Sequence, residues 1–168
     1  MTGRIIILVF AFGSYENIRP NRLIADRATY LSLPGCADIF TQKDVPLDRI
    51  NPIFAENITA KKDYLSTLDV IKTFVNWITV SSIRGEGGGI SVYVVAAPQH
   101  QWRCCRDLKK VLKEHGLTMK MFIDIDDKPE EDMYDKYSSQ WWTRSWWQWW
   151  LHEIPLRLMP WWLYKKIA

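Results

Sequence analysis

The sequence predicts an α/β domain built on a mostly parallel sheet. Three observations predict it. Short apolar runs rich in β-branched residues alternate with longer stretches of helical period, in the order strand, helix, strand, helix, strand, helix, strand. The first run is apolar throughout, as in a strand covered on both faces. With 168 residues, 48% of them hydrophobic, the chain can fill one core but is short for two. One domain over residues 1–168 is therefore expected, with residues 138–168 as a tail that packs on it or forms a contact surface.

Residues 5–12, IIILVFAF, form the first expected strand; the run is too short to span a bilayer and has no signal cleavage site. Gly13 and Ser14 break it. In RPNRLIADRATYLSL, Leu23, Ala28, Tyr30 and Leu31 recur at helical spacing until Pro34–Gly35. ADIFTQ, residues 37–42, reads as a strand, and VPLDRINPIF, with prolines at 46 and 52, as irregular chain. From about Ser66, Leu68, Ile71, Val75 and Ile78 share a helix face. ISVYVVAA, residues 90–97, is the clearest strand, followed by the amphipathic helix QWRCCRDLKKVLKEHG, ended by Gly116, and the strand LTMKMFID.

Composition excludes several classes. A net charge of +3 gives weak attraction to nucleic acid, so none is expected as partner. Three cysteines, Cys36, Cys104 and Cys105, do not make a disulfide framework; reduced thiols are expected, one of the vicinal pair buried and one half-exposed. No ligand set for a metal stands at convincing spacing, and none is expected. GEGGG, residues 85–89, follows a helix and precedes a strand, the reverse of a phosphate loop. The acidic stretch DIDDKPEED, residues 124–132, reads as a solvated loop.

In open parallel sheets, ligands bind beyond the carboxyl ends of the strands. Gly13–Ser14, Gln42–Asp44 and Pro98–His100 each follow an expected strand and converge there. His100 at a helix start favours a neutral imidazole, fit for general-base work or for donating to a phosphate oxygen; the plainer role is helix capping. Arg103, read as an exposed arginine of the first turn, can hold an anion with its fork or pair with a nearby acid. Ser66 and Thr67 cap the next helix and can face the ligand. Asn21 opens the first helix, and Asp44 is the candidate acid, base or cation ligand.

FAFGS, FTQKD, DYLSTLDVI, VVAAPQHQWRC and SQWWTRS with LHE together resemble the bacterial YdcF/SanA/ElyC-like proteins, a Rossmann-like family of unknown function. The resemblance implies a three-layer αβα Rossmann-like fold and brings Arg144 and Glu153 of the tail to the site. Where that family has a glycine pair and an asparagine-bearing helix start, this chain has Gln42–Lys43–Asp44 and Ser66–Thr67–Leu68–Asp69, which marks a divergent branch.

Eight of the ten tryptophans follow residue 140, in a stretch interrupted by Arg144, His152, Glu153 and Arg157 and by prolines at 155 and 160. A transmembrane helix is excluded. Partial helix bent near Pro155 is expected, with several indoles exposed for a homodimer or a peripheral membrane contact.

The expected function is binding of an anionic, phosphorylated or nucleotide-like small molecule, by an enzyme of envelope or lipid-carrier metabolism with His100 and Asp44 as catalytic residues. The alternative is a non-catalytic, envelope-associated module docking through its tail. A cytoplasmic location, peripheral to the inner membrane, fits either. No cofactor is indicated.

Overall fold

The computed structural model describes residues 4–13, 18–33, 37–47, 51–59, 65–80, 90–123 and 133–167. Ser14, Cys36, the glycine-rich stretch at 85–89 and the acidic stretch at 124–132 lie outside them.

The apolar runs form parallel strands. β1 (Ile5–Val9) pairs with β2 (Ala37–Thr41) on one side and β4 (Ser91–Val95) on the other. β3 (Ile53–Phe54) adds to β2, and β5 (Lys120–Ile123) to β4, giving the order β3-β2-β1-β4-β5. β3 falls where irregular chain is expected; two residues are too few for a period, and flanking prolines are tolerated at a sheet edge.

Alternation along β1 sorts its side chains to two cores. Ile6, Leu8 and Phe10 pack with α2 (Thr67–Val80) and α3 (Pro98–Glu114). Ile7 and Val9 pack with Ile24, Ala25 and Ala28 of α1 (Arg19–Ser32) on the other face. The result is the three-layer Rossmann-like α/β fold, with its switch point between β1 and β4, where the direction of strand addition reverses. α3 ends as its glycine predicts: Gly116 takes φ +63°, and Leu117 N–H donates to the Leu112 carbonyl at 2.9 Å.

The tail comprises a 3-10 turn (Trp141–Thr143), α4 (Trp146–Leu158) and α5 (Trp161–Ile167). Trp149 is buried in the α1-side core and Tyr164 in the other. The expected bend at Pro155 is corrected: α4 runs through Pro155, and the break falls at Met159. A residue before proline is driven out of the helical region, and Met159, before Pro160, is extended at φ −68°, ψ 134°.

Arg103 is the second correction. It is neither exposed nor in the first turn of α3. It lies on the buried stripe with His100, Cys104, Asp107, Leu108 and Val111, and its guanidinium meets Glu153 of α4 at 2.9 Å. Cys105 is buried like Cys104, where a half-exposed thiol is expected.

The tail docks through charge. Arg157 donates to Glu153 at 3.1 Å and to the Gln99 carbonyl at 3.0 Å. Tyr164 O–H donates to Asp107 at 2.6 Å, and Arg106 donates to the other Asp107 oxygen at 2.8 Å and to the Leu156 carbonyl at 3.3 Å. Glu153 and Asp107 have no solvent exposure.

Candidate functional site

Four loops meet at the carboxyl edge of β1, β2 and β4. Ala11, Phe12 and Gly13 leave β1, Gln42 leaves β2, Leu65 and Thr67 open α2, and His100 with Arg103 stand at the start of α3. Trp142, Thr143 and Trp149 of the tail close the top. The cavity between them is only about 20 Å3, space for about one water. A second cavity of about 200 Å3 shares Thr67, Arg103 and Trp142 as walls and adds Ser66, His152, Leu156, Tyr164 and Ile167.

Gly13 makes the tail's close approach to β1 workable. Its φ of +97° suits glycine, and a Cβ there would stand 2.7 Å from Ile18 Cδ1 and 2.8 Å from Ser138 Oγ. Asn21 fixes this turn: its Oδ1 accepts from Phe12 N–H at 2.7 Å, and its amide donates to the Gly13 carbonyl at 3.4 Å. Gln42 braces two loops, accepting from Ala11 N–H and donating to the Leu65 carbonyl, both at 3.1 Å. Both amides thus position the walls.

Ser66 caps α2. Its hydroxyl oxygen accepts Asp69 N–H at 3.2 Å, while the Asp69 carboxylate accepts Ser66 N–H at 3.1 Å, a reciprocal capping box. Thr67, one residue on, points its hydroxyl at His100 Nε2, 3.0 Å away. His100 therefore does not cap its own helix: the side chain reaches across to α2, and Nδ1 is buried without a hydrogen-bond partner among the described residues. Its ring packs edge-on to Trp149 at 5.4 Å.

Burial, and then the charges of Arg103, His152 and Arg157, hold His100 well below its ordinary value of 6.5. His152, stacked on Trp142 at 4.7 Å, is lowered by burial and by Arg103 to about 4. Burial pushes the Glu153 carboxyl up, and Arg103 and Arg157 pull it back only in part. Burial likewise raises the Cys104 and Cys105 thiols, so neither is poised as a thiolate nucleophile.

These shifts predict acid sensitivity. Above about pH 6.5 both imidazoles are neutral, folded or unfolded, and stability is whole. Below 6.5 the unfolded chain takes up protons that the folded protein refuses, so stability falls, through about pH 4 for His152 and through the depressed titration of His100. Melting temperature should decline from pH 6.5 to 5, before ordinary carboxylates titrate near about 4. His152→Phe, which keeps the stack on Trp142, should flatten that decline; an unchanged profile would rule out His152 as a contributor.

Of the expected site residues, Gly13, Gln42, Thr67, His100 and Arg103 line the first cavity, and Ser66, Thr67 and Arg103 the second. Asn21 stands behind the first as a brace. Asp44 lies half-buried in the turn after β2 and lines neither cavity. Arg144 is exposed, donates to the Ser138 carbonyl at 2.8 Å and lines neither. Glu153 sits behind the wall as the partner of Arg103. His152, Trp142 and Trp149 are the residues that sequence reasoning missed. The available signal was two polar pairs four residues apart, Gln148 with His152 and Glu153 with Arg157, in an otherwise apolar helix.

No group of three His, Cys, Asp or Glu side chains suited to a metal occurs among the described residues, nor a helix long and apolar enough to cross a membrane. Comparison of the chain with protein-family models, with curated proteins and with solved structures finds no match.

Proposed function

We propose that the chain binds an anionic, phosphorylated small molecule at this edge of the sheet, with the phosphoryl group in the larger cavity against Thr67 and Arg103, next to the water-sized space at His100. One observation carries the reading. The N-termini of two long helices, α2 and α3, open on walls shared with Arg103, a neutral histidine and a hydroxyl. Free N–H groups and the helix dipoles favour an anion there. The buried, unpaired Nδ1 of His100 is a second group in want of a partner. The water-sized space beside His100 also fits a water that a neutral imidazole can deprotonate, which favours an enzyme over a sensor. Short motifs resembling the YdcF/SanA/ElyC-like family support the same edge, and that resemblance is the ground for assigning the ligand to envelope or lipid-carrier metabolism in the cytoplasm at the inner membrane.

The test is a thermal-shift screen with inorganic phosphate, sugar phosphates and nucleoside phosphates, beside mass spectrometry of copurifying small molecules. A ligand at a hundred times its Kd stabilises by about 2.7 kcal/mol, or roughly 5–11 °C for a chain this size. Thr67→Val should weaken binding about 10-fold or more, as loss of a hydrogen bond to a charged group does. His100→Gln should abolish turnover while binding persists; loss of binding, with no turnover in the wild type, identifies a sensor. If no phosphorylated compound shifts the melting curve, the reading fails.

A further inference from the structure

α4 is inside out. Its polar residues Gln148, His152, Glu153 and Arg157 are buried or half-buried. Every exposed residue of α4 is apolar: Trp146, Trp147, Leu151, Ile154, Pro155 and Leu158. Trp147, Leu151, Ile154 and Leu158 follow one another at intervals of three or four, a single helical stripe with exposures of 60%, 61%, 49% and 80%. Beyond the break, α5 adds exposed Trp162, Leu163 and Ile167. Apolar faces of this kind mark contact surfaces.

The charges on the tail decide what contacts it. From residue 138 to 167 the sequence has one carboxylate, Glu153, and it has no solvent exposure. Two cations of the tail are exposed, Arg144 just before α4 and Lys166 at the end of α5, with half-buried Lys165 beside the second. Lys165 pairs with Glu114 of α3, and Lys166 lies 5.7 Å from the Trp162 ring. A two-fold contact sets a patch against its own copy. Here that would bring Arg144 and Lys166 toward cations, with no exposed carboxylate of the tail to meet them. A lipid surface with anionic headgroups meets both features, taking leucine, isoleucine and indole into its boundary and the cations at its charged plane. We infer that α4 and α5 form a peripheral membrane-docking surface for anionic lipid. This inference does not rest on the ligand reading: Trp147, Leu151, Ile154 and Leu158 line neither cavity, and of the exposed α5 residues only Ile167 stands at the second.

Cosedimentation of the full chain with vesicles of phosphatidylglycerol mixed into phosphatidylcholine, against phosphatidylcholine alone, tests it. The monomer should pellet with the anionic vesicles, and less so as salt rises. Leu151→Asp with Leu158→Asp should lower partitioning by about 10-fold or more, since each leucine loses its transfer out of water. Lys166→Glu should lower it about 5-fold or more. Both variants change exposed residues, so melting temperatures should match the wild type, which separates lost docking from lost fold. Protein that stays in the supernatant with anionic vesicles overturns the inference. So does a dimer on sizing that Leu151→Asp splits, which would make a second copy the occupant.

Discussion

Trp149→Ala is expected to lower the melting temperature by roughly 6–20 °C, the equivalent of about 3–5 kcal/mol for a large-to-small change at a buried aromatic. Trp149 is 1% exposed, 4.8 Å from the Phe12 ring and 5.4 Å from His100, with the Arg103 guanidinium 5.5 Å over its face. It is the tail's plug in the α1-side core and the wall that confines the first cavity to about 20 Å3. Removing the indole joins that space to a void of side-chain size. His100 should then regain hydration, and its depressed titration should move up toward 6.5, which NMR of the imidazole can follow. Trp149→Phe should recover most of the stability, because the indole N–H has no hydrogen-bond partner among the described residues to lose. A melting temperature within about 1 °C of the wild type for the alanine variant would show that the tail does not seal the site.

Glu153→Ala is expected to cost about 3–5 kcal/mol, the range for removing one partner of a buried ion pair. The loss comes from what remains. Arg103 and Arg157 would face each other's charge across an empty carboxylate position, and Arg103 is too buried for water to screen it. The pair itself adds little net stability, as the upward push on the Glu153 carboxyl indicates. A double variant, Arg103→Met with Glu153→Leu, should therefore melt closer to the wild type than Glu153→Ala does. If the double variant is the worse of the two, the pair stabilises outright and the desolvation argument is wrong.

The sheet and its helices were legible because their apolar residues keep a period. β1 and β4 are continuous apolar runs, and α2 carries Leu68, Ile71, Val75 and Ile78 on its buried face. The meeting of Gly13, Gln42, Thr67 and His100 was legible too, since each lies beside a strand end or helix start that a parallel sheet brings to one edge. Exposed indoles in the tail were expected, but which of its residues turn inward was not, for a physical reason. Apolar residues are expected inward, yet α3 offers α4 a surface of Arg103, Arg106 and Asp107, which selects the polar stripe of α4 and leaves the apolar one outside. Arg103 looked exposed because it is charged. Its spacing from Cys104, Asp107 and Leu108 put it on the buried stripe, and there the period was the better guide.

The placement of Trp149 and Tyr164 at the far end of the chain has a consequence for synthesis. A ribosome makes the sheet and all three of its helices before the residues that close the site exist. The nascent chain can therefore settle its parallel core while both cavities are open clefts and Arg103 and Asp107 still face water. Only when residues 149–164 emerge does Glu153 reach Arg103 and Tyr164 reach Asp107. The inside-out helix is thus born onto a finished partner, and its apolar stripe reaches water only once its polar stripe has somewhere to go. Arrival of the tail, and not completion of the sheet, is the moment at which this site comes into being.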